Sequence, residues 1–195
     1  MKRRATKRPW RRSELSLETL VLGIDPGSHA TGYGLVRREG NRYSSAARGV
    51  IRAPEKAPLV ERLALIHAGV VRILAETGAT CVAVETPFFA RSAHSTLVLG
   101  HVRGVILLAI HQSGAFLHEY APRQVKSAVV GNGAASKEQV QFMVTRLLGL
   151  GETPAADAAD ALAVALCHHH RANAPGAALM AAPPGRTRST ARGPA

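Results

Sequence analysis

The sequence predicts an α/β fold built on a mixed five-stranded sheet, with three antiparallel strands first and alternating helices and strands after them. Two observations lead to this prediction. Three short apolar runs separated by turn residues come first, and segments with helical apolar spacing then alternate with further apolar runs. A hydrophobic content of 46% over 195 residues is enough for one domain with a sizeable core.

Turn residues divide the first ordered part of the chain into three strands. Pro26-Gly27 and Glu39-Gly-Asn41 are turn signals, and apolar or β-branched residues lie between them. Consecutive strands joined by short turns pair antiparallel. The predicted strands are Leu20–Asp25, Gly32–Arg37 and Ala46–Arg52.

Helices and strands alternate in the rest of the predicted domain. The segment 59–76 has an apolar stripe at helical spacing. Ser136 and Gln139 form a capping box, and Thr153 followed by Pro154 is typical of an N-cap with proline at the first helical position. The predicted elements are helix 59–76, strand Cys81–Glu85, helix 92–113, strand 115–120, helix 122–130, helix 136–148 and helix 154–169.

Both ends of the chain are basic and differ in composition from the middle. The net charge is +12, yet residues 1–12 hold seven Lys or Arg, residues 171–195 hold four Arg, and neither stretch holds an acid. We expect a disordered basic arm over residues 1–18, a domain over 19–171 and a disordered Ala/Pro/Arg tail over 172–195. Solvated disorder and nonspecific affinity for nucleic-acid phosphates both fit these ends.

Composition argues against membrane and secreted classes. The basic N-terminus lacks the apolar segment of a signal peptide, and we expect no stretch to reach the length and apolarity of a membrane span. The two cysteines, Cys81 and Cys167, show neither a disulfide framework nor zinc-ligand spacing. These features predict a cytoplasmic protein without a membrane partner.

Four acids stand out as candidate metal ligands. Asp25 and Glu85 each end an apolar run, and Asp157 and Asp160 lie three residues apart on an alanine-rich helix. That spacing places the two aspartates on one helical face, and the alanines allow the helix to approach a sheet closely. Buried carboxylates must be paired or bind metal, and no basic residue adjoins any of the four. Their oxygens suit Mg²⁺ or Mn²⁺; a solvated acidic helix turn is the alternative for Asp157 and Asp160.

Other residues have a structural and a functional interpretation. Gly27, Gly32 and Gly34 are expected to be turn glycines, while Ser28 and Thr31 beside them are candidate phosphate contacts. The histidines 168–170 beside Cys167 suggest a metal-binding tract, but consecutive positions point around a helix, so we expect a frayed helix end. We expect His29, His94 and His101 to be surface or hydrogen-bonded histidines.

Six motifs in order along the chain resemble the RuvC family of bacterial Holliday junction resolvases. They cover nearly all of the predicted domain, from about residue 20 to 170. Each motif alone is weak, but the set is specific. The motifs are Gly23–Gly34, Val84–Phe89, Gly100–Gly104, Arg123–Lys126, Gly131–Gln141 and Asp157–Ala161.

The resemblance implies a ribonuclease-H-like fold and a homodimer that cuts four-way DNA junctions in recombination and repair, with the RuvA–RuvB branch-migration complex as partner. The catalytic acids matched by position are Asp25, Glu85, Asp157 and Asp160. Among the remaining matches, Phe88 corresponds to an aromatic at the junction, and Lys126 and Lys137 to lysines near the scissile phosphate. Hydrolysis of a phosphodiester by two divalent ions per site suits this set of acids.

Some positions depart from the family pattern. Thr86-Pro87 follow the second acid where glutamine and an aliphatic residue are more usual, Arg91 replaces lysine, and Ala134 replaces arginine. We retain Arg91 as a candidate DNA contact. These departures bear on how closely the preferred cleavage sequence and the binding of the junction follow the family.

Two other functional classes remain as alternatives. The run Gly23–Ser28 is similar to the phosphate loop of actin-like ATPases and sugar kinases, although no other aspartate here precedes a glycine by two residues. A junction-binding module without catalysis is the second, although all four acids are present. Hydrolysis of a nucleotide would favour the ATPase or kinase class. Cleavage of a junction would exclude a module that only binds it.

The predicted helix 92–113 is apolar on more than one face. A helix that covers one side of a sheet needs a single apolar face. A second copy of the chain, packed on the outer face, would cover the additional apolar residues. A deeply buried core helix is the alternative.

Overall fold

The computed structural model describes residues 20–86 and 92–172, which form one mixed sheet with helices on both faces. The predicted arm, the tail from residue 173 onward and the segment 87–91 lie outside the described residues, whereas Ala172 belongs to a helix. The elements are β1 (Leu20–Asp25), β2 (Ala30–Glu39), β3 (Arg42–Arg52), α1 (Leu59–Thr77), β4 (Cys81–Glu85), α2 (Ala93–Ser113), β5 (Phe116–Tyr120), α3 (Pro122–Val130), α4 (Lys137–Leu147) and α5 (Ala156–Ala172).

The sheet has the strand order β3-β2-β1-β4-β5. β1 pairs antiparallel with β2, and β2 with β3, whereas β4 runs parallel to both β1 and β5. The predicted fold class is confirmed. Most predicted bounds agree with the structure to within a few residues, because the turn residues stand where the alternation of apolar and polar residues ends.

The start of α5 differs from the prediction. The helix begins at Ala156 rather than at Pro154. The carbonyl of Pro154 accepts a hydrogen bond of 2.7 Å from the Gln141 side chain, and the first helical bond runs from Ala159 N to the Ala155 carbonyl. A tertiary contact to α4 therefore sets the helix start, which local capping rules do not include.

Alternating residues of the strands face two separate cores. Leu22 and Ile24 of β1 pack with α1 and α2, whereas Val21 packs with α3, α4 and α5. β4 alternates in the same way, with Val82 and Val84 in the first core and Cys81 in the second. Asp25 and Glu85 therefore belong to the face that α5 covers.

Glycines in β1 and β2 allow α5 to lie unusually close to the sheet. A Cβ atom on Gly23 would lie 2.0 Å from the carbonyl oxygen of Ala161, and one on Gly32 would lie 1.9 Å from that of Asp157. A Cβ atom on Gly34 would meet the Leu162 side chain at 2.6 Å. Gly32 and Gly34 lie inside β2, so the expectation that they are turn glycines is wrong. Gly27 does lie in the loop after β1.

The described residues include one helix, α2, whose length and composition would allow it to cross a membrane. The expectation that no stretch is long and apolar enough to span a membrane is therefore wrong. The test is weak evidence for a membrane span, because packed core helices also meet it. Only 28% of the apolar window of α2 is buried. The buried residues, all in the core shared with α1, are Val102, Ile106, Ala109 and Ile110.

The histidine tract is part of the packed helix α5 rather than a frayed end, which corrects the prediction. α5 continues to Ala172, and His168 and His169 are buried. His169 Nε2 lies 3.2 Å from the carbonyl oxygen of Val36, and His170 Nδ1 lies 2.8 Å from that of Ala128. The three rings point to different sides of the helix, as their spacing predicts.

We expect Gly23→Ala to destabilise the protein by about 1–3 kcal/mol, because the new methyl group forces α5 away from β1. Gly151→Ala is the matched control, since nothing lies within 4 Å of its Cβ position and its backbone is not left-handed; it should be neutral or slightly stabilising. Chemical denaturation of both variants measures the difference. Equal stability of the two would contradict the close approach of α5.

Candidate active site

Two of the four acids come from neighbouring parallel strands. Asp25 is the last residue of β1 and Glu85 is the last residue of β4. The pairing of Ile24 with Val84 places both acids at the same edge of the sheet. Their carboxyls lie close enough for each to influence the pKa of the other. The carboxyl ends of the parallel strands thus form the floor of the site.

The other two acids come from the first turns of α5, directly above that edge. The carbonyl oxygen of Asp157 faces Gly32, whose pairing partner on β1 is Asp25. Asp160, one turn further on, is close enough to Asp25 and Glu85 to raise the pKa of both carboxyls. The acidic cluster that we define as Asp25, Glu85, Asp157 and Asp160 is therefore assembled by two strands and one helix.

Three acids of the cluster, Asp25, Glu85 and Asp160, are costly to ionise. Burial, followed by repulsion from Glu85 and Asp160, raises the pKa of Asp25 to about 8. Burial is also the main cause that raises the pKa of Glu85 and of Asp160. We infer that Asp25 keeps its proton at neutral pH in the metal-free protein.

Two lysines supply the nearest positive charge. Lys137 Nζ lies 3.3 Å from Asp160 Oδ2, and this ion pair raises the pKa of Lys137. Lys126 Nζ donates a hydrogen bond of 2.7 Å to the Ala135 carbonyl, and its charge lowers the pKa of Glu85 and Asp160. Both predicted lysines therefore lie beside the acids, one on α3 and one at the start of α4.

The loop after β1 gives different results for the two predicted phosphate contacts. Thr31 is fully buried and its hydroxyl donates to the Gly27 carbonyl at 2.8 Å, so its predicted contact to DNA is wrong and it instead closes the loop. Ser28 is half-buried. Arg62 of α1 donates to the Ser28 carbonyl at 3.3 Å and lies 3.1 Å from His29 Nδ1. Sequence reasoning missed Arg62, because it looks like any polar residue on the outer face of a helix.

The remaining predicted contacts cannot be placed. Phe88 and Arg91 lie in the segment outside the described residues. Among the predicted surface histidines, His29, His94 and His101 are exposed.

The acidic cluster fits divalent cations. Four carboxylates offer hard oxygen ligands, and three of them have a pKa raised chiefly by burial, so the cluster lacks positive charge. Lys137 is the one cation that forms an ion pair with an acid of the cluster among the described residues. A bound divalent cation would supply the missing charge.

Residues 21–168 match the family described as crossover junction endodeoxyribonuclease RuvC. Curated relatives carry the same description. The protein from Marinobacter nauticus is 50% identical over 151 residues, which is 77% of this chain and 86% of that protein. The one from Ectopseudomonas mendocina is 49% identical over 154 residues, covering 78% of this chain and 88% of that protein.

One solved structure supports the same family, and a more distant one shares the fold. Thermus thermophilus RuvC in complex with a Holliday junction substrate has a TM-score of 0.74 and 37% identity, and covers 80% of this chain and 95% of its own. The yeast mitochondrial Holliday junction resolvase has a TM-score of 0.57 at 15% identity, with 77% and 78% coverage, and shares the fold.

The raised pKa of Asp25 predicts a pH-dependent stability in the metal-free protein. Between the ordinary pKa of 3.8 and the native value of about 8, the native state holds a proton that the unfolded state has lost. The free energy of unfolding should therefore fall as pH rises through this window. Asp25→Asn should flatten that fall, whereas Glu152→Gln, at an exposed acid, should not.

Urea denaturation in EDTA at several values between pH 4 and pH 8 measures this dependence. Adding Mg²⁺ should restore stability at the high end of the window, because the ion binds the ionised carboxylates. An Asp25→Asn variant with the same pH dependence as the parent would contradict the assignment.

Proposed function

The chain belongs to the RuvC family of crossover junction endodeoxyribonucleases, and on that premise we propose that it resolves four-way DNA junctions by hydrolysing one phosphodiester in each of two like strands. The observation that carries the proposal is the convergence of Asp25, Glu85, Asp157 and Asp160 at one edge of the sheet. Nicking by two sites with matched geometry restores two separate duplexes, and recombination and repair require that outcome.

The four acids would hold two Mg²⁺ or Mn²⁺ ions. Asp25 lies between the other acids, close enough to Glu85 and Asp160 for both to raise its pKa, which suits a carboxylate shared by both ions. Glu85 would hold one ion from the strand side, and Asp157 and Asp160 the other from the helix. When bound, such ions supply an activated water nucleophile and neutralise the charge that builds up on the phosphate.

We assign the lysines to the substrate. Lys137 is largely exposed while its Nζ contacts Asp160, so it can move from the acid to an incoming phosphate oxygen. Lys126 is partly buried and held by the Ala135 carbonyl, so its charge stays fixed near Glu85. Phe88, by resemblance, would stack on a base at the junction, and Ser28 and Arg91 would contact the backbone.

A basic cleft of about 350 Å³ extends this surface beside α3. Arg123 and Arg171 line it together with Asn132. Ala134, where the family commonly has arginine, also lines the cleft. We propose that the two arginines provide phosphate contacts here, which compensates for the missing charge at position 134.

We further propose that two chains act together through the outer face of α2. Leu97 is 62% exposed and Leu108 is 49% exposed, although both are large apolar residues. They are eleven residues apart, which is three helical turns and hence the same face. Gly100 and Gly104 lie between them with open space around their Cβ positions, so a second helix can approach closely.

The partners and location follow from the same premise. A junction resolvase works on DNA in the bacterial cytoplasm, and the RuvA–RuvB branch-migration complex is the proposed partner. An actin-like ATPase is no longer a competing candidate, because residues 21–168 match the nuclease family.

We expect Asp25→Asn to retain junction binding and lose cleavage by several orders of magnitude, because it removes the proposed shared ligand of both ions. Labelled four-way junction and matched linear duplex, incubated with Mg²⁺, Mn²⁺ or EDTA, measure both properties. Glu152→Gln is the control and should cut normally. Near-normal nicking by Asp25→Asn in Mn²⁺ would contradict the proposed metal site.

Leu108→Glu should shift the protein from two chains to one in sedimentation, and it should replace paired symmetric cuts by single nicks. The reason is the charge that it places in the centre of the proposed apolar interface. Leu65→Glu is a matched control, because Leu65 is 47% exposed on the adjacent helix α1. A Leu108→Glu protein that remains a dimer would rule out this face as the interface.

A further inference from the structure

A second cluster of metal-ligating side chains lies away from the acidic cluster. One ligand atom from each of Cys81, His118 and His168 lies within 4.8 Å of the other two. Cys81 is the first residue of β4, while Glu85 is its last, so the two clusters are separated by about 13 Å along that strand. We call these three residues the thiol–imidazole cluster.

Strand register and helix spacing explain why the three residues meet. Cys81 and His118 lie on adjacent parallel strands, where Ala83 is the pairing partner of His118, so both side chains project toward α5. His168 lies eight residues after Asp160 on α5, two turns further along the same helix. The helix that carries two acids at its start therefore carries this imidazole near its end.

The geometry of the pair Cys81–His168 suits a tetrahedral ion. The Cys81 Sγ atom lies 3.5 Å from His168 Nε2. Two ligands of one zinc ion, with bonds of about 2.3 Å to sulfur and about 2.1 Å to nitrogen, are about 3.6 Å apart. The His118 ring lies beside them, with its centroid 4.4 Å from that of His168.

A hydroxyl group supports the second nitrogen of His168. Tyr120 Oη lies 2.8 Å from His168 Nδ1. With Nδ1–H donating to this oxygen, Nε2 is the nitrogen that presents a lone pair toward Cys81. Metal-binding histidines characteristically have such a partner on the other ring nitrogen, because it fixes the tautomer and the ring orientation.

From these contacts we propose that Cys81, His118 and His168 bind one soft divalent cation of the zinc class. Thiolate and imidazole favour Zn²⁺ over Mg²⁺, which prefers the oxygen ligands of the acidic cluster. Cys81 and His168 are buried while His118 is partly exposed, so the ion enters and takes its fourth ligand, water, on the His118 side. The bound ion ties β4 and β5 to the end of α5.

This proposal does not rest on the nuclease assignment. It uses none of the four acids, and the ion has a structural role, because its three protein ligands come from three different elements. A thiol–imidazole hydrogen bond with ring packing is the competing interpretation of the same contacts. The two interpretations differ in whether a metal–sulfur bond forms.

Cobalt titration of the metal-free full-length protein under reducing conditions tests the proposal. Co²⁺ is a spectroscopic substitute for Zn²⁺, and its bond to a thiolate gives a charge-transfer absorption band that carboxylate ligands do not give. We expect one equivalent of Co²⁺ per chain to produce this band, and Zn²⁺ to displace it. Zn²⁺ should also raise the thermal unfolding temperature.

Two variants and a matched control locate the ion. Cys81→Ser should abolish the band, and His118→Gln, at a partly exposed position, should weaken Co²⁺ binding at least about 10-fold. Cys167→Ser is the control and should behave like the parent. Cys167 is also buried, but burial raises the pKa of its thiol to about 12 and its Sγ donates to the Gln124 carbonyl at 3.6 Å.

Either of two results would overturn the proposal. The first is the absence of a thiolate–cobalt band in the parent protein, which would leave only a hydrogen bond between Cys81 and His168. The second is a band that persists in both Cys81→Ser and His118→Gln. Should Cys81→Ser fail to fold, the His118→Gln titration alone decides, with an unchanged affinity counting against the site.

Discussion

The close seating of α5 on the glycines of β1 and β2 is the constraint on which the rest of the structure depends. Side chains at Gly23 or Gly32 would collide with backbone carbonyls of α5 at about half of normal contact distance. Only glycine leaves the helix backbone directly on the sheet. The first turn of α5 therefore lies over the end of β1, which brings Asp157 and Asp160 to the end of the sheet that holds Asp25 and Glu85.

That seating has an electrostatic consequence. A helix packed this tightly excludes water from the acids beneath it, and burial is the largest cause of the raised pKa of Asp25, Glu85 and Asp160. In the metal-free protein the negative charge of these acids is therefore poorly compensated. Lys137 forms an ion pair with Asp160 on the exposed side. The same lack of positive charge destabilises the metal-free protein and favours the binding of divalent cations at these acids.

Sequence reasoning predicted the fold, which the structure confirms, and it singled out the four acids, because both signals are local. Strand alternation, turn residues and an aspartate spacing of three are visible in short windows. The structure brings Asp25, Glu85 and Asp160 close enough to influence one another's pKa, with Asp157 beside Asp160. The missed features are tertiary. Gly32 and Gly34 look like turn glycines in sequence, and only the packing of α5 on β2 shows why they are glycines. The start of α5 is set by a hydrogen bond from Gln141. The convergence of Cys81, His118 and His168 joins positions up to 87 residues apart, which no spacing rule connects.

Anomalous diffraction from crystals of the full chain soaked in Mn²⁺ tests the central claim most directly. The account predicts two anomalous peaks at the end of β1, both in contact with Asp25, with Glu85 on the strand side and Asp157 or Asp160 on the helix side. A single peak bound only by surface acids, or two peaks that Asp25 does not touch, would contradict the claim that α5 and the sheet together build a two-ion site.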